Sequence, residues 1–274
     1  MKTEKMLGSE LVIHEFKSSV VRSKFAWIVV ERNEGDRFQE QLARMLAVNS
    51  GCDIIIIDGD SSDGSISIEG LAAQGVRDLI VSKAKFGFSK DLQIGLIHAI
   101  EKGYAGVITS DGNGKDSVHD VGKFIFALEN DFDFLQGSRF LEPRHHKNTP
   151  FFRWFGIRLV SSPITSLFSG SWITDPTNGF RGYSRKLLLH PTVKLGSRKF
   201  KGYSLVSYLP IAAGKANLLS KEISVSRDYP DRGGVPTKIV RISQWLDIFF
   251  DLFRAGFEKY DSYSSNLTIK LPVD

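Results

Sequence analysis

Three polar clusters in this 274-residue chain combine carboxylates, amides, hydroxyls and glycines at spacings suited to holding phosphates. In SDGNGKDS, Ser110 to Ser117, Asp111 and Asn113 alternate around Gly112 directly after an apolar run. In an extended segment both side chains face one cleft and offer hard oxygens to a divalent cation bridging two phosphates. Asn113 in place of a second carboxylate takes one negative charge out of such a site. A glycine-rich turn capping the following helix accounts for the same residues, and the position after a buried strand favours the functional reading. In DGDSSDGS, Asp58 to Ser65, the carboxylates can accept hydrogen bonds from a base or ribose, while Gly59 and Gly64 permit a tight turn. An Asx turn with a helix N-cap explains Ser61, Ser62 and Ser65 equally well. A calcium loop on Asp58, Asp60 and Glu69 fails, because Asp63 stands where that loop needs glycine and a strand precedes it. The third cluster is QGSRF, Gln136 to Phe140, with DPTNGFRGYSRKLL, Asp175 to Leu188. Arg139 and Arg181 suit bidentate phosphate contacts, or structural ion pairs with acidic neighbours.

The elements that must position these clusters are legible as alternating patterns. Short β-branched runs predict five strands, Phe25 to Val30, Asp53 to Ile57, Asp78 to Val81, Gly106 to Ser110 and Phe132 to Gln136. Amphipathic stretches between them predict helices at Phe38 to Val48, Ser65 to Gln74, Ser89 to Lys102 and Val118 to Asn130. Strand and helix in alternation imply a Rossmann-like, mostly parallel sheet flanked by helices in a single domain, with ligands outside the carboxyl ends of the strands. Leu141 to Pro150 reads as a mobile loop. Phe151 to Trp172, aromatic with Arg153 and Arg158 interspersed, suits a helix lying on the domain or on a membrane surface. Trp245, Ile248, Phe249, Leu252, Phe253 and Phe257 recur at helical spacing and form one apolar face, for packing on the domain, on a second copy as a homo-oligomer, or on a membrane. The expected organisation is an N-terminal extension over 1–24, a catalytic domain over 25–230, an amphipathic helical region over 231–262 and a tail over 263–274.

A formal net charge of +5, from 36 Lys and Arg against 31 Asp and Glu, favours anionic partners without choosing among them. The basic residues are scattered rather than arranged as a stripe with exposed aromatics, which excludes a nucleic-acid reading. The single cysteine, Cys52, can form no internal disulfide and reads as a small core residue in a reducing compartment. No apolar run is long enough to span a bilayer, so the expected location is cytoplasmic, with any membrane contact peripheral on that face.

Taken in order, the clusters resemble family 2 glycosyltransferases, in particular their dolichyl-phosphate-mannose-synthase-like branch. The resemblance runs from IDGDSSDGS through GFSKDLQIGLIHAIEKG (Gly87 to Gly103), DGN in place of the usual Asp-x-Asp, and GSR, to TNGFRGYSRKLL, and covers roughly residues 25 to 230. It implies a glycosyltransferase-A fold and inverting transfer from a GDP- or UDP-sugar to a polyprenyl phosphate or a surface glycan. Asn33, Glu34, Asp58, Asp60, Lys85 and Asp111 would line the nucleotide pocket. Asp111 and Asn113 would hold Mg2+ or Mn2+ on the diphosphate. Arg139, Arg144, Arg181 and Lys115 would meet phosphate or acceptor, with Asp111 and Arg139 at the reacting centre and Asp175 as base for a hydroxyl acceptor. An anionic lipid phosphate would need no strong base. The chain departs from the family pattern at Val30 and Arg32, where Pro and Tyr are usual, and at Lys115, where a glutamine is usual. A catalytically silent relative acting as a binding or scaffold protein is the alternative. A nicotinamide dehydrogenase is excluded because ERNEGD, Glu31 to Asp36, replaces the required glycine-rich turn.

Overall fold

The computed structural model describes residues 2–7, 11–16, 23–48, 50–83, 86–143, 149–227, 242–257 and 260. Lys85, Arg144 and the expected 263–274 tail lie outside them.

The centre of the sheet forms where the sequence is most continuously apolar. Strand β3 (Phe25–Glu31) is buried along its whole length, and β4 (Asp53–Asp58) carries four consecutive isoleucines. Such runs belong to parallel strands covered on both faces. They pair in parallel with each other, with β5 (Asp78–Ser82) on one side and with β6 (Gly106–Asp111) on the other. Because successive side chains alternate faces, Ile28, Val30, Ile55 and Ile57 pack with one layer, and Trp27, Val29, Ile54 and Ile56 with the other.

Helix α1 (Asp36–Val48) buries Phe38, Leu42 and Met45, one helical stripe, against the second of these faces. Helix α2 (Ile68–Ala73) starts at the Ser67 N-cap, three residues later than expected, since Ser65 is drawn into the preceding turn. Helix α3 (Phe88–Glu101) covers the first face so closely that a Cβ on Gly95 would stand 3.0 Å from Ile57 and 3.1 Å from Ile28. Helix α4 (Val121–Glu129) follows a short 3-10 turn on the opposite side.

Beyond β6 the sheet mixes directions. Strand β7 (Phe134–Ser138) begins two residues later than the hydrophobic run predicts, and β8 (Arg181–Ser184) lies antiparallel between β6 and β7. Strand β9 (Ser220–Ser224) extends the sheet parallel to β7. At the far edge, β1 (Lys2–Leu7) and β2 (Leu11–Phe16) form a hairpin on β5, so the segment expected as an extension supplies two strands to the sheet. Among the described residues the order is β1-β2-β5-β4-β3-β6-β8-β7-β9.

The chain between β7 and β9 builds a helical flank. Helix α5 (Phe151–Gly156), a five-residue π turn and α6 (Ser162–Ser169) run on from one another. The four-residue α7 (Arg185–Leu188) follows β8, and α8 (Ser204–Lys215) then packs on α3. Helix α9 (Ile242–Phe257), the expected amphipathic helix, buries Leu252 and Ala255 and is tied to the domain through Lys215 Nζ on the Gly256 carbonyl and through Phe168 against Phe253 and Phe257. From Leu252 on, its inner face is therefore occupied by its own domain. Among the described residues no helix is long and apolar enough to cross a membrane. Cys52 is half-buried, and burial pushes its thiol up to about 11, as a packing residue requires.

Candidate functional site

The polar clusters meet where parallel strands end. Glu31, Asp58 and Asp111 close β3, β4 and β6 at adjacent register positions, Glu31 opposite Asp58 and Val30 opposite Asp111.

The first cluster is held largely by itself. Asp58 accepts from the Ser61 amide at 3.1 Å and the Ser61 hydroxyl at 2.6 Å, and Glu31 accepts from Ser65 Oγ at 2.7 Å. Burial pushes both carboxyls up, against the lowering effect of those hydrogen bonds. Asn33, in the left-handed region at φ 52°, donates its amide to Ser61 Oγ and accepts from the Ser62 amide at 2.8 Å. Glu34 pairs with Arg37 at 3.0 Å, and Asp60 is also left-handed at φ 62°. These residues frame one rim, but Asp58 is 3% exposed and already engaged, so it shapes the turn rather than presenting a free carboxylate. Beneath the turn lies Asp91 of α3, which falls within the Gly87 to Gly103 stretch but has no role of its own in the motifs. A Cβ on Gly59 would stand 3.3 Å from Asp91 Oδ2, and burial, opposed by the Ser82 hydroxyl and the Arg32 charge, pushes the Asp91 carboxyl up to about 6.

The second cluster is held by distant parts of the chain. Gln41 of α1 grips both ends of the turn, donating to the Asp111 carbonyl at 2.6 Å and accepting from the Gly114 amide at 2.6 Å. Asn113 donates to Asp111 Oδ2 at 3.2 Å, so the two expected ligands do lie side by side. On the remaining side, Gly179 of the TNGFR segment approaches so closely that any Cβ there would collide with Asp111 Oδ1. The largest departure from expectation is Arg227, just beyond β9. Its guanidinium bridges Asp111 Oδ2 at 2.7 Å and Asp116 Oδ1 at 2.5 Å, and also reaches Asn178 Oδ1 at 3.2 Å. Arg227 and Asp116 are 4% and 1% exposed, whereas the Asp111 side chain keeps 22% open to the cleft. Burial alone would raise the Asp111 carboxyl, but Arg227 and Lys115 outweigh it and hold Asp111 below its ordinary range. At Asp116 burial prevails over Arg227, Asp111 repels it, and the carboxyl is raised.

In the third cluster three expected site residues, Arg139, Asp175 and Arg181, are engaged within the fold. Arg139 is 1% exposed and donates through Nε and Nη2 to the two oxygens of Asp175 at 2.7 and 3.2 Å. Asp175, fully buried and also accepting from the Arg139 amide, is not placed as a base open to substrate. The pair instead locks the end of β7 to the segment before β8, and deleting one partner of such a buried pair costs about 3–5 kcal/mol. Arg181 is likewise withdrawn, its guanidinium donating to the carbonyls of Asn178 at 2.9 Å, Val206 at 2.6 Å and Pro176 at 2.5 Å. Buried Lys115 does stand in the electrostatic neighbourhood of Asp111. Burial raises the Tyr203 hydroxyl, and the Asp111 charge adds to this while Arg153 opposes it.

For a divalent ion the chain brings one partly open carboxylate and one amide oxygen, both hard donors. Among the described residues no group of three or more His, Cys, Asp and Glu could hold a metal ion. The set fits a cation that arrives with further oxygens from a bound diphosphate.

A solved glucosyl-3-phosphoglycerate synthase from Mycobacterium tuberculosis, in complex with Mn2+, UDP and glucosyl-3-phosphoglycerate, superposes with a TM-score of 0.59 at 15% identity, covering 86% of this chain and 80% of that one. The fold is a glycosyltransferase-A fold. No family model matches the chain. Curated relatives accord with the resemblance read from the motifs. A UDP-N-acetylglucosamine–dolichyl-phosphate N-acetylglucosaminyltransferase of Methanococcus voltae is 30% identical over 138 residues, 50% of this chain and 53% of the relative. A polyprenol monophosphomannose synthase of Mycolicibacterium smegmatis is 26% identical over 157 residues, 55% and 57% of the two chains. The chain thus spans just over half the length of these relatives. In this glycosyltransferase-A sheet, the cluster at the end of β6 lies beside the rim formed at the ends of β3 and β4.

Asp91 yields a pH signature. Its proton is held more tightly in the folded chain than at the ordinary aspartate value of about 3.9, so the stability that the neutral form contributes is complete below that value and is lost as pH rises through about 6. The loss amounts to about 3 kcal/mol. Urea denaturation at pH 4 to 7.5 should show Asp91→Asn gaining stability over the native chain across this window. Parallel profiles for the two proteins would contradict the assignment.

Proposed function

We propose that the chain is a glycosyltransferase that moves a sugar from a nucleoside diphosphate, GDP or UDP, to a polyprenyl phosphate or a surface-glycan acceptor with inversion, assisted by a divalent cation. The observation that carries this reading is Asp111, a partly open carboxylate at the end of a central parallel strand, set between Asn113 and the cations Lys115 and Arg227. Ligands of open parallel sheets bind outside the carboxyl ends of the strands. The curated relatives are glycosyltransferases, which is the ground for preferring catalysis to a silent scaffold.

In this reading Asn33, Glu34 and Asp60 border the nucleoside, while Asp58 and Glu31 keep their turns in shape. Lys85 and Arg144 retain their proposed places at nucleotide and acceptor. Asp111 and Asn113 would hold Mg2+ or Mn2+ together with the diphosphate, the cation supplying neutralisation of the leaving diphosphate. Lys115 adds fixed positive charge beside it, which favours departure of the nucleotide in a partly water-excluded cleft. The engagement of Asp175 by Arg139 favours an acceptor that is already an anion, because the expected base for a sugar hydroxyl is tied up. Two of the relatives concern polyprenyl carriers, a dolichyl phosphate and a polyprenol monophosphate sugar, which supports a lipid phosphate as acceptor.

A lipid acceptor requires a route to a bilayer surface. Phe151, Phe152, Trp154, Phe155 and Leu159 stand exposed on α5 and the π turn, with Trp172 after α6, and Arg153 and Arg158 are interleaved among them. Apolar rings with basic neighbours suit shallow insertion at an anionic interface. Flotation with phosphatidylglycerol vesicles at low salt should carry the chain upward, and Phe152→Asp should reduce the floated fraction. A native chain that stays at the bottom would contradict this surface.

Transfer itself is tested by incubating the chain with radiolabelled UDP-N-acetylglucosamine or GDP-mannose and a short polyprenyl phosphate, with Mg2+ or Mn2+. One donor should label the lipid, and Asp111→Ala should lower the rate by at least 100-fold, about 2.7 kcal/mol of lost transition-state stabilisation. Undiminished labelling by Asp111→Ala would remove the site from the reaction.

A further inference from the structure

Arg227 is the cation that the sequence motifs do not anticipate. It reaches Asp111 across 116 positions of the chain and Asp116 across 111. Asp116 Oδ2 is buried and makes no hydrogen bond, and the Asn178 side-chain nitrogen beside Arg227 makes none either, so the guanidinium is the principal bond of a pocket that is otherwise incompletely satisfied. Among the described residues, two carboxylates and two cations, Asp111 and Asp116 with Arg227 and Lys115, form a cluster whose formal charge is zero when all four are ionised.

We propose, resting on the donor-site reading above, that Arg227 is a resident counter-ion of the diphosphate seat, which lets a nucleoside diphosphate bind without a divalent ion. The physical problem at such a seat is that an anionic diphosphate must approach an ionised carboxylate. A metal ion between the two solves it, and without the metal they repel. Here the guanidinium already cancels the Asp111 charge from behind, on Oδ2, and is itself nearly inaccessible. Lys115 adds a second positive charge to the same carboxylate's surroundings. An incoming diphosphate therefore meets a neutral cluster with a positive flank. A free divalent ion meets two fixed cations and a carboxylate oxygen already bonded, so it enters together with the nucleotide and strengthens a complex that exists without it. Arg227 acts through Asp111 and is in this sense a positioning residue.

The test is calorimetric titration of UDP and of GDP into the full chain, in EDTA and in Mn2+. The nucleotide that binds should do so in EDTA within about tenfold of its affinity in Mn2+. Arg227→Gln should lose at least 30-fold in EDTA and recover most of that loss in Mn2+, which would also show that the variant folds, while Arg227→Lys should keep binding in EDTA. Native binding that appears only with metal would overturn the proposal, even if Arg227→Gln could not be prepared. Equal responses of native chain and Arg227→Gln to EDTA would overturn it as well. Failure of both nucleotides in both conditions would be a different result, overturning the donor-site reading and this proposal with it.

Discussion

The turn after β6 is where the fold and the chemistry depend on each other most. A backbone reversal carrying an acidic side chain at a strand end has unsatisfied amides and carbonyls and an uncompensated charge, and none of these can be left bare in a half-buried cleft. Gln41 from α1 satisfies the backbone at both ends of the turn. Arg227 from beyond β9 meets the charge, and Gly179 before β8 leaves the carboxylate room that any side chain would take away. Three elements thus converge on one turn, Gln41 on its backbone and Arg227 and Gly179 on the Asp111 carboxylate.

That convergence explains the mixed half of the sheet. The parallel strands β5, β4, β3 and β6 set out the strand ends, but they do not by themselves enclose Asp111. Strand β8, running antiparallel beside β6, brings Asn178 and Gly179 against it, and β7 and β9 bring the Arg139–Asp175 lock and Arg227. Thr109 Oγ1 on the carbonyl of Gly179 at 3.0 Å fixes the register of this approach. Stacking of Phe124 on Phe180, ring centroids 4.3 Å apart, anchors the same segment from the opposite face. The functional cleft is therefore a product of long-range packing, with local turn chemistry supplying the residues to be packed.

The parallel core was legible from sequence because strands buried on both faces leave unbroken apolar runs, as in Ile54 to Ile57, and the helices between them show a helical stripe such as Phe38, Leu42 and Met45. The edges were not. Lys2–Leu7 is polar and short, and RGYS of β8 ends on Ser184, the N-cap of the next helix, so neither carries a strand signal of its own. Asp111 and Asn113 could be singled out because their type and spacing fall within one turn. Arg227 and Gln41 could not, and Asp116 and Asp91, although inside the motif stretches, showed no role of their own, since the partners of all four lie far off in sequence. The same limit hid the engagement of Arg139 with Asp175 and of Arg181 with backbone carbonyls.

The central claim is that the Asp111 turn is the seat of a nucleotide's diphosphate. A crystal structure of the chain grown with UDP or GDP addresses it most directly. The account predicts the β-phosphate beside the turn from Asp111 to Lys115, with Arg227 still bridging Asp111 and Asp116 behind it. A nucleotide bound elsewhere on the molecule, with the turn unvisited, would contradict it.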